Sequence, residues 1–136
     1  MKEITLSATV ESIPQLTAWM DEELERLGCP MKAQMQLDIA LDEIFSNIAH
    51  YAYPPGEGKA TVQLAYDEAG RTVILTFLDR GMPYDPMKKP DPDVSLSMDK
   101  RDIGGLGIFL VKKTMDGMDY RYEDGCNVLE IRKKIG

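Results

Sequence analysis

Glu43 and Asn47 stand four residues apart in the stretch LDEIFSNIAHY. On a helix that spacing puts both on one face. A carboxylate can orient water or take up a proton, and an amide oxygen is a hard ligand suited to Mg²⁺. Asp79 closes an apolar run, and Gly81 follows two residues later in FLDRGMPYDP. A carboxylate at a strand end can accept a hydrogen bond from an exocyclic amine, and a nearby glycine lets a flat ring approach the backbone. Gly104, Gly105 and Gly107 crowd the start of GGLGIFLV. Glycine costs about 1 kcal/mol relative to alanine inside a helix. At a helix N-terminus it lets backbone N–H groups come close to phosphate. Each group also has a plainer reading: an exposed polar helix face, a strand-ending turn, and a loop-to-helix turn.

The elements that must position these residues can be read from the hydrophobic pattern. Ile4, Leu6, Ala8 and Val10 alternate with Thr5, Ser7 and Thr9, which predicts a half-buried strand over residues 3–10. Ser12 is placed to cap a first helix, with Pro14 in its first turn and Gln15 at the capping-box position. Ile13, Leu16, Met20, Leu24 and Leu27 recur at helical spacing, and Gly28 ends the run. Trp19 and Met20 are read as core. Pro30 opens a longer helix to about Tyr51, with Leu37, Leu41, Ile44 and Ile48 as its core stripe. By helix geometry Glu43 and Asn47 lie about 100° from the Ile44 and Ile48 stripe.

YPPGEG breaks the second helix, and two strands joined by DEAGR follow. Thr72 to Leu78 is apolar on both faces, as in a central strand. Residues 79–102 hold four prolines and little periodicity. A loop of that length inside a domain is usually functional or mobile. A third helix is expected to end near Asp116. Tyr120 and Tyr122 fall in one strand, Asp124–Gly125 makes a hairpin, and Leu129 and Ile131 alternate in the last strand. The expected fold class is α+β: a two-layer sandwich whose mixed, mainly antiparallel sheet carries the helices on one face.

The chain has 136 residues and a formal net charge of −7. That acidity argues against general nucleic-acid binding, which needs a basic surface, and suits a basic protein partner. Two cysteines, Cys29 and Cys126, and one histidine, His50, are too few for a His/Cys zinc site. There is no GxxxxGK[ST] P-loop, no GxGxxG following a strand, and no HRD/DFG pair. MKEITLSATVES lacks an apolar signal core, and no apolar run approaches the ~20 residues of a membrane span. A cytoplasmic location is expected.

Taken in order, these stretches resemble the ATP-binding domain of the GHKL superfamily, the Bergerat fold shared by gyrase, histidine kinases and MutL. DEIFSN resembles the N box, DRGMPYDP the first glycine box and GGLGIFLVKKTMD the second. The resemblance runs nearly end to end, and the last motif looks most like the anti-sigma-factor serine kinase branch. It implies one domain over residues 1–136, with an ATP lid at about 82–103. It implies that Asn47 coordinates Mg²⁺ and that Glu43 is the general base toward a protein serine. Asp79 would bind the adenine amino group, with Gly81 leaving room for the ring. Gly104, Gly105 and Gly107 would shape the lid hinge and meet phosphate.

The sequence departs from the superfamily pattern at two positions. His50 stands where the superfamily often has lysine, as a phosphate or ribose contact or as a packed or capping residue. Asn127 stands near the usual threonine, as a substitute hydrogen-bonding group. Lys100 and Arg101 are candidate phosphate contacts or solvated charges. The implied partners are a sigma factor and a serine-bearing antagonist protein, with a possible homodimer. The alternative is a non-catalytic, nucleotide-dependent module that sequesters a partner.

Overall fold

The computed structural model describes residues 1–88 and 103–136. Five strands form one sheet: β1 (Lys2–Ser7), β2 (Lys59–Asp67), β3 (Thr72–Asp79), β4 (Gly117–Glu123) and β5 (Cys126–Lys134). Their order is β1-β2-β3-β5-β4, and each of the four pairings is antiparallel. The expected "mainly antiparallel" sheet is therefore antiparallel throughout the described strands. The helices α1 (Ile13–Arg26), α2 (Met31–Tyr51) and α3 (Ile103–Thr114) complete the α+β architecture.

The 3.6-residue pattern read from the sequence is the face that packs. Leu16, Met20 and Leu24 of α1 and Leu37, Leu41 and Phe45 of α2 are fully buried. They join Val62, Leu64, Val73, Leu75, Phe77, Leu129 and Ile131 of the sheet in one core. Each such side chain contributes about 1.5–3 kcal/mol by leaving water. Met20 is core, as expected, and Trp19 is partly buried against it. The outward side of α2 leaves Met31, Met35 and Ile39 exposed. Among the described residues no helix is long and apolar enough to cross a membrane.

Three local expectations need correction. The first strand stops at Ser7, and Val10 lies in a short 3₁₀ turn (Val10–Ser12) with its side chain exposed. The chain bends there because Thr9 N–H donates back to the Ser7 carbonyl and Ala8 N–H to that of Gly58. Ser12 is the N-cap of α1 by position, but its side chain makes no capping hydrogen bond and lies 3.4 Å from the Thr9 hydroxyl. β3 is central in the sheet, yet it alternates between buried and half-buried residues. One face packs on the core, so Ile74 and Leu78 on the other remain half-buried. The hairpin at Asp124–Gly125 forms as read, with φ of 54° and 76°.

Candidate functional site

β3 ends at Asp79, directly opposite Asn127 at the start of β5. Asp79 continues the buried side of its strand, so its carboxyl enters the protein where the apolar core thins out. It is 6% exposed and Asn127 is 5% exposed. Asp79 Oδ1 accepts the Gly81 N–H at 2.9 Å and the Asn127 Nδ2 at 2.8 Å. Burial pushes the Asp79 carboxyl above its ordinary value, while these two hydrogen bonds pull it partly back. The carboxyl lies in a largely apolar pocket with Ile44, Asn47, Phe77, Tyr84, Tyr120 and Leu129 in its lining. An apolar pocket with a carboxylate acceptor can take a heterocycle bearing an amine.

Asn47 lines the same pocket from α2. Its Nδ2 is buried and has no hydrogen-bond partner among the described residues. A buried amide atom in that state costs free energy unless a ligand or water meets it. Glu43 sits one turn earlier on the helix and half-buried. A Cβ on Gly107 would collide with the Glu43 carboxyl. The third glycine of GGLGIFLV is thus the seat that lets α3 close over Glu43. Gly104 and Gly105 fall in the first turn of α3, at the positive end of its dipole.

Gly81 shows a different close approach from the one expected. A Cβ there would strike the Ala52 carbonyl, and Met82 N–H donates to that same oxygen at 2.8 Å. The neighbour that demands glycine is Ala52 just after α2, which is itself part of the lining of the Asp79 pocket. The start of the expected lid, residues 82–88, is a wall pinned to the protein: Met82 through Ala52 and Asn127, and Tyr84 through Asn127. Residues 89–102 of that lid, with Lys100 and Arg101, lie outside the described residues.

His50 is exposed, and its Nδ1 lies 2.8 Å from the Ser46 carbonyl. It lines a separate groove with residues 7–11 and 56–59, and is not in the lining of the Asp79 pocket. Asn127 does reach the pocket, but its amide is engaged with protein groups on both its nitrogen and its oxygen.

Among the described residues no group of three or more His, Cys, Asp or Glu converges to hold a metal. Mg²⁺ does not need one, since it binds through one or two protein oxygens together with nucleotide phosphates and water. Asn47 lines the pocket, and its amide oxygen is the atom of the right chemistry for that limited role; its unpartnered Nδ2 is a donor, suited instead to an oxygen of the nucleotide or of water.

Sequence reasoning missed the tyrosines. Tyr84 stacks on Tyr51 with ring centroids 5.0 Å apart. Tyr120 donates its hydroxyl to Asn127. Tyr53 OH donates to the Lys59 carbonyl at 2.6 Å and accepts the Arg80 N–H at 2.8 Å, tying the YPPGEG loop to the end of β3. The clue was present: tyrosines at 51, 53 and 84 flank the two breaks around the Asp79 strand end.

Comparison with known proteins agrees with this geometry. The family described as histidine kinase-like ATPase domain matches residues 6–133. Serine/threonine-protein kinase BtrW of Bordetella bronchiseptica is 28% identical over 128 residues, covering 94% of this chain and 89% of that protein. Serine-protein kinase RsbW of Bacillus cereus is 24% identical over 131 residues, covering 93% and 81%. Serine-protein kinase RsbW of Listeria monocytogenes is 29% identical over 110 residues, covering 76% and 68%. A match spanning almost the whole chain, on an α+β fold with the expected motif order, means that this chain belongs to the histidine kinase-like ATPase domain family.

Proposed function

We propose that this chain is a single-domain serine-protein kinase of the anti-sigma type, which moves the γ-phosphoryl of Mg·ATP to a serine of a small antagonist protein. The observation that carries the reading is the buried Asp79 carboxyl in an apolar pocket that also takes in Asn47. The relatives named as serine-protein kinases support the acceptor class. A sigma factor is the second partner, and a homodimer is the proposed assembly. The domain spans residues 1–136, with the lid at about 82–103 starting from the pinned wall.

In this reading Asp79 accepts the adenine amino group, and Asn127 and Gly81 hold Asp79 and the wall in place. Asn47 holds Mg²⁺, whose chemistry is to neutralise the phosphates. The Gly104–Gly105 turn offers backbone N–H groups to phosphate. Glu43, seated under Gly107, takes the serine proton as the serine oxygen bonds to the γ-phosphorus and the bond to the β-phosphate oxygen breaks. Transfer of this kind rests on positioning and charge neutralisation more than on covalent chemistry. His50 has no assigned contact in this reading.

Replacing Glu43 with Ala tests it. Transfer to a serine-bearing antagonist should fall at least about 100-fold, the scale of a general base. ATP affinity should stay within about three-fold, since the base acts in the transition state rather than in binding. Nucleotide-dependent capture of a partner by the unaltered chain, with no phosphate transfer, would replace the kinase reading with a sequestering module.

A further inference from the structure

Asn127 is a buried crossing point that holds four residues from three parts of the chain: the end of β3, the wall that follows it, and β4. Its Nδ2 donates to Asp79 Oδ1 at 2.8 Å and to the Met82 carbonyl at 2.8 Å. Its Oδ1 accepts the Tyr84 N–H at 3.1 Å and the Tyr120 hydroxyl at 2.5 Å. A primary amide offers two donors and two acceptor lone pairs, so its capacity is full. The orientation is also determined. Turning the amide over would set oxygen against two acceptors and NH₂ against two donors. Burial pushes the Tyr120 phenol above its ordinary value, which keeps it a donor.

Met82 and Tyr84 belong to the wall between Asp79 and the lid segment. Tyr84 stacks on Tyr51 at the end of α2, one turn beyond Asn47. A continuous set of contacts therefore runs from the pocket carboxylate through Asn127 and Tyr84 to the helix that carries Glu43 and Asn47. We infer that Asn127 is a positioning residue that joins Asp79 and the Met82–Tyr84 wall into one unit, so that base binding and the seating of the lid stem rise and fall together. Its amide does not contact the base, because no donor or acceptor is left for it. The ligand in this inference rests on the ATP reading above. The clamp itself does not.

The test is amide hydrogen exchange on the full-length chain, first without nucleotide. Asn127→Ala should speed exchange at the Tyr84 amide about ten-fold or more, because that N–H loses the Asn127 oxygen and keeps only the Tyr120 hydroxyl, which loses its own anchor on Asn127 at the same time. Amides in the middle of α2 and β3 should keep their protection. Unchanged Tyr84 exchange in the folded variant would overturn the clamp. Asn127→Asp serves if the alanine variant does not fold. It keeps the acceptor toward Tyr84 and sets a second carboxyl against Asp79. Protection at Tyr84 should then be lost near neutral pH and return on acidification, as a proton comes to bridge the two carboxyls. Protection that ignores pH would count against the inference.

With Mg·ATP, Asn127→Ala should raise KM about ten-fold and leave kcat within about three-fold. A fall in kcat at unchanged KM would instead make Asn127 part of the chemical step. If the unaltered chain bound no ATP, the functional reading would fall, and Tyr84 exchange would still decide the clamp.

Discussion

At the scale of single residues, the two halves of the site differ in what they ask of the chain. Asp79 is an acceptor whose value comes from being buried with only Oδ1 engaged by the described residues. Asp79→Ala removes that acceptor and should weaken ATP by about 10- to 100-fold, the range for a hydrogen bond to a charged group. Gly107→Ala separates function from stability. Alanine is the better helix former by about 1 kcal/mol. The atoms it would strike are the far end of the Glu43 side chain, which can swing away. The variant should therefore unfold at an equal or higher temperature while losing phosphate transfer. A drop in melting temperature with transfer intact would mean that Gly107 is not the seat of Glu43. Gly81→Ala meets backbone rather than a side-chain tip, the Ala52 carbonyl. It should cost about 1–3 kcal/mol in denaturant unfolding, as overpacking does.

At the scale of elements, α1 and α2 are joined by a pair of acids as well as by their apolar stripes. Asp38 is pushed up to about 7, first by burial, then by its hydrogen bond with Asp21 and by the charge of that residue. An unfolded chain would release this proton near 3.8. The pair's contribution is fully present below that value, where the acid is protonated in both states; between the two values only the native state holds the proton, so stability falls as pH rises. The contribution is lost as pH rises through about 7. Melting temperatures measured across this window should fall toward neutral pH, and Asp38→Asn should flatten the slope. Equal slopes in both proteins would remove the pair from the account. The nearby Cys29 thiol is pushed up by burial and then by Asp38 and Asp21, which keeps it a thiol.

These elements also mark where the sequence was legible. Pro30, the breaker YPPGEG and the Leu37–Leu41–Ile44 spacing carry their own local reasons, and α2 has the bounds they imply. Val10 does not, because its strand ends through hydrogen bonds among residues 7–9 and from Ala8 to Gly58, far along the chain. Long separation in sequence likewise hid the Asp79, Met82 and Tyr84 partners of Asn127 and the reason for Gly107. Both depend on which side chain arrives from another element, and no periodicity records that.

At the scale of the molecule, the sheet and helices bring the Glu-x-x-x-Asn helix, the Asp79 strand end and the glycine-headed helix to one end of the fold. The order of the motifs was visible in the sequence, and membership of the histidine kinase-like ATPase family agrees with it. Removing Mg²⁺ with a chelator should weaken nucleotide binding in the unaltered chain and have a smaller effect in Asn47→Ala, which has already lost the proposed ligand. Calorimetric titration of the purified chain with ATP, with and without Mg²⁺, tests the central claim most directly. Saturable binding should appear, strengthened by Mg²⁺ and weakened about 10- to 100-fold in a folded Asp79→Ala variant. Absence of binding at millimolar ATP, or binding unaffected by Asp79→Ala, would contradict it.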